Sequence, residues 1–260
     1  MAEATYTANP RIYDDVYREF VGDIPHVVGL MRSAGGPVLE VCCGNGRILV
    51  PALEAGVRVD GLDSSAAMLE DARAKLAARG LETRLFTADM RDFALPGRYA
   101  LIVIAFNSFM HNLTQADQLA TLECCRGHLE SGGRLAIVAF HPSAPILIRF
   151  GSGTPVPTET PHGDGKLVYW DSAAQDRVEQ VQTITRRLEY FDAAGKLVRE
   201  ETTSFRMRYV YKPEMELLLR VAGFARWETR ALFRSYVDVA PALERAPMEG
   251  DHLLYTAWAA

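Results

Sequence analysis

The sequence predicts an α/β protein: a doubly wound, mostly parallel seven-stranded sheet, with an antiparallel β-hairpin inserted after the fifth strand. Three observations carry this expectation. Over residues 37–140, short apolar runs alternate with helix-period segments in the order β-α-β-α-β…β-α-β, the pattern of a parallel sheet. One run, Tyr99 to Phe106, is almost wholly apolar, as a central strand covered on both faces must be. After residue 140 the pattern changes. Val178–Phe191 and Leu197–Tyr211 are rich in β-branched and aromatic residues and are separated by the turn signal Asp192-Ala-Ala-Gly195, which reads as a hairpin.

Composition bounds the rest. A chain of 260 residues that is 48% hydrophobic and 23% charged is ordinary for a soluble globular protein and can bury a sizeable core. A net charge of −5 argues against a dominant nucleic-acid surface. No apolar run approaches the ~20 residues that span a bilayer, so no membrane association is expected. The first residues carry no secretory pattern, and the four cysteines form two adjacent pairs, Cys42-Cys43 and Cys124-Cys125. Sequence neighbours rarely bridge each other and this spacing suits no zinc site, so free thiols in the reducing cytoplasm and no metal are expected.

In chain order, Ile12, Val16 and Phe20 recur at helical spacing within Asn9–Leu30. Tyr13 and Tyr17 repeat that spacing beside them. They pack the helix against the domain, or they line a ligand pocket as part of a lid, since tyrosine offers area and a polar tip. Val38, Leu39 and Val41 form the first strand, and Ile48–Leu53 resumes as a helix after a glycine turn. Val57–Asp63 is the second strand. Ser64 or Ser65 then caps a helix to Arg79 with Met68, Ala72 and Leu76 as its apolar stripe. Thr83–Ala88 is the third strand, ending at Asp89-Met90. Thr114–Leu129 is helical and stops at Ser131-Gly-Gly133, before a fifth strand, Arg134–Phe140. His141–Lys166 holds five prolines and four glycines and reads as a long irregular loop. After the hairpin, Pro213 opens a helix bearing Met215, Leu218, Leu219 and Ala222, ended by Gly223. Phe224–Leu232 and His252–Trp258 complete the sheet, with a short helix and loop over Pro241–Gly250. The expected organisation is a core at 1–140 with an N-terminal helical lid, a loop and hairpin at 141–212, and sheet completion at 213–260.

The chemistry gathers at strand ends. Gly44 and Gly46 let a backbone turn approach a ligand closely, because neither carries a Cβ. Leu49 stands where a third glycine would complete G-x-G-x-x-G, so a dinucleotide pyrophosphate is poorly served. Glu40 just upstream suits an ammonium group better than phosphate, which favours a bare helix terminus. Asp63, at the end of the next strand, is about 20 residues beyond the turn and so placed for ribose hydroxyls. Singly, plainer readings stand: Met68 as core, Asp63 as a residue preceding a cap, Asp89 as a turn former. It is their succession at consecutive strand ends that points to one ligand.

Taken together, Glu40-Val-Cys-Cys-Gly-Asn-Gly-Arg47, Asp63, Asp89-Met90 and Phe106-Asn-Ser108 resemble the motifs of class I S-adenosylmethionine-dependent methyltransferases, whose fold is Rossmann-like. The resemblance spans most of the sheet. It implies S-adenosyl-L-methionine as cofactor and S-adenosyl-L-homocysteine as product. Glu40 and the turn at Cys42, Gly44 and Gly46 would hold the methionine end, and Asp63 the ribose. Ser64 and Met68 would sit beside the adenine, Asp89 would accept from its amino group, and Met90 would offer its backbone N–H. Phe106 would mark where cofactor and substrate meet. Cys42 departs from the family pattern: it replaces the first glycine, which leaves the loop less backbone freedom there.

Within that family, the Tyr-rich helix, the run Phe106-Asn-Ser-Phe-Met-His111 and the hairpin resemble the small-molecule branch, which includes amino-sugar N,N-dimethyltransferases and glycine N-methyltransferase-like enzymes. The resemblance makes His111 the candidate base. Its plainer reading is a structural loop histidine. His141, after strand five, is the second candidate. The expected activity is methyl transfer to an N or O atom of a small metabolite, without nucleic-acid or membrane partners and with a homodimer contact through the hairpin. The run Phe106-Asn-Ser-Phe109 is not the Asn/Asp-Pro-Pro-Tyr/Phe type used on base amines. The rival readings are a nicotinamide-dependent oxidoreductase and a non-catalytic protein that binds the same ligand. On the hairpin, Arg186 shares a strand face with Tyr190, and Arg206 with Arg208. That face binds an acidic or phosphorylated substrate, or is simply salt-bridged and solvated.

Overall fold

The computed structural model describes residues 10–18, 20–142, 147–148, 157–233 and 252–259. The chain divides into two compact units, residues 22–141 with 209–260, and residues 1–21 with 142–208.

The larger unit is the doubly wound sheet. Its strands are β1 (Val38–Val41), β2 (Val59–Asp63), β3 (Leu85–Thr87), β4 (Tyr99–Ile104), β5 (Leu129–Phe140), β10 (Arg226–Phe233) and β11 (His252–Trp258). They lie in the order β10-β11-β5-β4-β1-β2-β3. Pairings from β3 to β5 are parallel, while β11 runs antiparallel to both β5 and β10. Strand alternation divides two cores. Leu39, Val41, Ile102, Ile104, Leu135 and Ile137 face one layer of helices, and Val38, Leu101, Val103, Ala136 and Val138 face the other. The first layer is α5 (Gln115–Gly127) and α6 (Lys212–Val221), the second α2 (Ile24–Arg32), α3 (Leu49–Glu54) and α4 (Ala66–Ala77). Burial of Met68, Ala72 and Leu76 on α4, and of Met215, Leu218, Leu219 and Ala222 at α6, matches the expected stripes.

Several boundaries moved for identifiable reasons. The N-terminal segment is two helices, α1 (Pro10–Tyr17) and α2, because Gly22 intervenes and Pro25 begins a fresh helix near its N-terminus. Helix α5 ends at Gly127 rather than at Ser131-Gly-Gly133. Those three residues are a bulge inside β5, where the register to β4 slips between Tyr99↔Leu129 and Leu101↔Arg134. A Cβ at Gly133 would stand 2.9 Å from the carbonyl oxygens of both Glu130 and Tyr99, so glycine is required. The expected helix at Pro241–Gly250 lies outside the described residues.

The smaller unit contains the expected hairpin and extends it by two strands. It is a four-stranded antiparallel sheet, β6 (Thr158–His162), β7 (Gly165–Asp176), β8 (Val181–Phe191) and β9 (Leu197–Arg208), in sequence order. Strands β6 and β7 occupy and follow the end of the stretch expected to be an irregular loop. Pro161 hid β6, yet proline is tolerated on an edge strand, where β6 lies. Helix α1 packs Ile12 and Val16 onto Leu167, Leu188 and Tyr190 of this sheet. Arg186 is buried, with Asp171 across the pair at 2.5 and 2.6 Å, whereas exposed Arg187 pairs with Glu189 and Glu200. Arg186 is therefore salt-bridged as the plainer reading has it, but buried rather than solvated. Among the described residues no helix is long and apolar enough to cross a membrane.

Gly61 on β2 tests the packing of the larger unit. A Cβ there would meet Cys43 Sγ and Leu85 Cδ2 at 2.7 Å each. Gly61→Ala is expected to lose about 1–3 kcal/mol of stability through overpacking, read as a lower denaturant midpoint with an unchanged slope.

Candidate functional site

The topology locates the site. From β1 the chain winds outward through β2 to β3, and from β4 it winds the other way to β5. Strands β1 and β4 are neighbours, so a crevice opens between their carboxyl ends, where doubly wound sheets bind ligands.

The backbone at that crevice is strained. Four non-glycine residues among those described have positive φ, and three are here: Cys42 at 59° after β1, and Phe106 and Asn107 at 50° and 66° after β4. Asparagine tolerates this region; cysteine and phenylalanine do so at a cost of about 1–2 kcal/mol each. Such outliers persist where the surroundings over-determine them, typically at functional sites. At Cys42 the motif's missing glycine is thus felt directly, since the chain takes the left-handed conformation without it. Gly44 and Gly46 are left-handed too, at 54° and 87°. A Cβ on either would come within 3.1 Å of a neighbour, Met68 Cε for Gly44 and Val50 Cγ2 for Gly46.

Around the turn stand the acids. Glu40 is 3% exposed, and its Oε2 makes no hydrogen bond among the described residues. Burial pushes its carboxyl up to about 8, against the pull of the Arg47 guanidinium and helped by the nearby charges of Asp63 and Asp23. A buried carboxyl with an unsatisfied oxygen is costly unless a cationic ligand completes it. Asp63 ties the turn to α4: Oδ2 accepts from Gly44 N and Oδ1 from Ser65 N, each at 2.8 Å. Burial raises its pKa and these backbone N–H groups oppose the rise. Ser65, not Ser64, caps α4, accepting from Met68 N at 3.2 Å, while Ser64 is exposed beside it. Burial also raises the Cys42 thiol well above its usual range, and Cys42 Sγ lies 3.7 Å from Met90 Sδ. This joins the first and third motifs. Asp89 is half-exposed and held by Arg91 at 2.6–2.9 Å, which lowers its pKa.

Two buried pairings were not anticipated. Arg47, the last residue of the motif, makes a fork with Asp23 at 2.7–3.1 Å, and its guanidinium lies 4.0 Å from the centre of the Phe106 ring. Asp23 is completely buried. Asn107 joins β4, β5 and β11: its Oδ1 accepts from Phe140 N at 2.7 Å, and its Nδ2 lies 3.2 Å from His252 Nε2. No local pattern announces either. Asp23 precedes α2 as an ordinary capping residue would, and His252 opens a strand far along the chain.

The candidate bases fall differently. His111 is exposed at the end of a short 3-10 helix, Ser108–His111, directly after β4. His141 follows β5, half-buried, with its ring edge-on to Tyr211 at 5.6 Å, and burial lowers its pKa. Both belong to the larger unit with the crevice. Tyr13 and Tyr17 belong to the smaller one, where their rings are 4.8 Å apart and Tyr17 receives the Arg186 guanidinium at 5.4 Å from its ring centre.

Residues 38–133 match the family described as Methyltransferase domain. A dTDP-3-amino-3,6-dideoxy-alpha-D-glucopyranose N,N-dimethyltransferase of Streptomyces fradiae is 30% identical over 154 residues, covering 53% of this chain and 58% of that protein. A ribosomal RNA small subunit methyltransferase C of Salmonella paratyphi B is 39% identical over 120 residues, covering 43% and 34%. The chain thus spans little more than half of one relative and about a third of the other. Among solved structures, SAM-bound CalS10, an amino pentose methyltransferase from Micromonospora echinaspora, superposes with a TM-score of 0.72 at 22% identity, covering 95% and 96%. The fold is the Rossmann-like methyltransferase fold.

Proposed function

We propose that this chain, built on a class I methyltransferase domain, transfers a methyl group from S-adenosyl-L-methionine to the amino nitrogen of a small, sugar-like metabolite. The observation that carries the reading is the buried Glu40 carboxyl with an unsatisfied oxygen, set directly behind a left-handed glycine turn at the switch point. This fits the ammonium of a methionine moiety and does not fit a pyrophosphate. The amino-sugar specificity of one relative and the amino pentose specificity of one structural neighbour support the acceptor class.

The chain's own residues then divide the work. Glu40 receives the ammonium, and the turn at Cys42, Gly44 and Gly46 presents its backbone to the methionine end. Asp63, Ser64 and Met68 line the ribose and adenine, and Asp89 and Met90 the far edge of the ring. The cofactor supplies a methyl group on a sulfonium, whose departure leaves a neutral thioether. The reaction is an in-line displacement in which the N–C bond forms as the S–C bond breaks, so positioning is the main requirement. An ammonium acceptor must first shed a proton to expose its lone pair. His111 takes it, with His141 as the alternative base.

The test is turnover. Methyl-labelled cofactor is incubated with a panel of free and dTDP-linked amino sugars, their hydroxyl counterparts, glycine and ribosomal RNA. Label is expected on the amino sugars. Label confined to hydroxyl compounds or RNA would overturn the acceptor class, and no label on any of them would favour a binding protein.

A further inference from the structure

The Asn107–His252 pair carries a role that neither the motifs nor the comparisons assign. Its geometry fixes the chemistry of both partners. The Phe140 N–H is a donor and nothing else, so the Asn107 atom 2.7 Å from it must be the carbonyl oxygen. The Asn107 atom facing His252 is therefore the NH2, a donor. His252 Nε2, at 3.2 Å, has to be the acceptor, so the imidazole is neutral with its proton on Nδ1. His252 is 2% exposed, and its ring leans on Phe140 at 5.8 Å. An imidazolium would turn an N–H toward the Asn107 NH2 and break the bridge.

What the bridge holds is the strained turn. Asn107 and Phe106 are consecutive left-handed residues, and a bulky side chain in that region reverts to ordinary backbone unless it is restrained. Asn107 is anchored by its backbone N–H to Val138 O at 3.2 Å and by both ends of its amide. Phe106 is anchored by its ring against Arg47. The tether therefore runs from β11, through the Asn107 side chain, to the chain segment that leaves β4 and continues into the His111 helix.

We infer that His252 is a positioning residue: as a neutral Nδ1-protonated imidazole, it accepts from Asn107 and so fixes the end of β4 in the conformation that methyl transfer requires. The inference rests on the reading of this crevice as the methyl-transfer site. Misplacing reacting groups by about 1 Å costs on the order of a hundredfold in rate, so a released tether affects the rate more than cofactor binding.

Two kinds of measurement test it. Nitrogen-15 correlation spectra of the histidine rings in the whole protein report the tautomer with no cofactor present. The expected result is an unprotonated Nε2 on His252, converted by Asn107→Asp to a ring protonated at Nε2. Finding His252 already protonated at Nε2 in the wild type overturns the inference. The second measurement compares His252→Gln, whose carbonyl can still accept from Asn107, with His252→Leu, which cannot. Circular dichroism confirms that both are folded. His252→Gln is expected to keep kcat within about threefold, and His252→Leu to lose at least tenfold in kcat while cofactor affinity moves less than threefold. Equal kcat in the two variants overturns the positioning role. Failure of the wild type to bind or turn over the cofactor refutes the methyltransferase reading instead, and the spectra still decide the tautomer.

Discussion

Glu40→Gln should weaken binding of S-adenosyl-L-methionine roughly ten- to hundredfold at pH 8, and at that pH it should make the unliganded protein more stable. The two effects share one cause. In the native chain burial holds the Glu40 carboxyl at about 8, against a usual value of 4.5, so near neutral pH most of it is protonated. Between those values the folded state binds a proton that the unfolded chain has released. Stability therefore falls as pH rises from about 4.5 to about 8. The raised carboxyls of Asp63 and Asp23 add to the same trend. Glutamine abolishes the Glu40 contribution, so thermal melts of the variant should fall less over that window than those of the wild type.

Binding runs the other way. An arriving ammonium favours the carboxylate, so the proton leaves on binding, and cofactor affinity should climb toward pH 8 by at most about tenfold per pH unit. Above about 8 it should level off. The variant should show no such slope. It loses a charge-assisted hydrogen bond, for which about 1.5–3 kcal/mol is typical. A variant that binds as tightly as the wild type, or that keeps the slope, would remove Glu40 from the ligand.

Asp23→Ala should be the most destabilising single change in the larger unit, costing about 3–5 kcal/mol. Asp23 is completely buried and meets Arg47 through four contacts of 2.7–3.1 Å. Alanine leaves that guanidinium, itself only 12% exposed, with its main counter-charge gone. For a unit of this size such a loss lowers the melting temperature by roughly 6–20 °C. The pair as such need not stabilise: Asp23→Leu with Arg47→Met should recover most of the loss, because two apolar residues replace two desolvated charges. Arg47 also backs Phe106 and moderates the Glu40 carboxyl, so the double variant should fold well and bind cofactor poorly. A loss below about 1 kcal/mol in Asp23→Ala, read by denaturant unfolding, would mean that the fork is incidental.

Much of this site was legible in the sequence because it is local. β4 is a short continuous apolar run, and β1 and β2 each carry an acid, Glu40 and Asp63, at or next to the carboxyl end. Even the departure at Cys42 was informative, since a position that wants glycine proved to be left-handed. What escaped was set by pairing at a distance. Asp23 with Arg47, and Asn107 with His252, join residue types that are individually commonplace. Only the sheet order brings β4, β5 and β11 side by side. Two strands of the second sheet escaped for a compositional reason: Pro161 lies in the stretch that reads as loop and the Asp-Ser-Ala-Ala run of β7 carries no strand signal, although an edge position admits the proline and cross-strand pairing carries the rest. The bulge at Ser131-Gly-Gly133 had the residues of a helix stop, and its actual use depends on β4 passing close by.

The ligand of the crevice between β1 and β4 decides the function. Calorimetric titration of the unmodified protein with S-adenosyl-L-homocysteine, with NADH titrated in parallel, measures that directly. Saturable binding at one site per chain is expected for the homocysteine compound, and none for NADH. Absence of heat with the homocysteine compound at millimolar concentration, or saturable binding of NADH in its place, would contradict the methyltransferase reading.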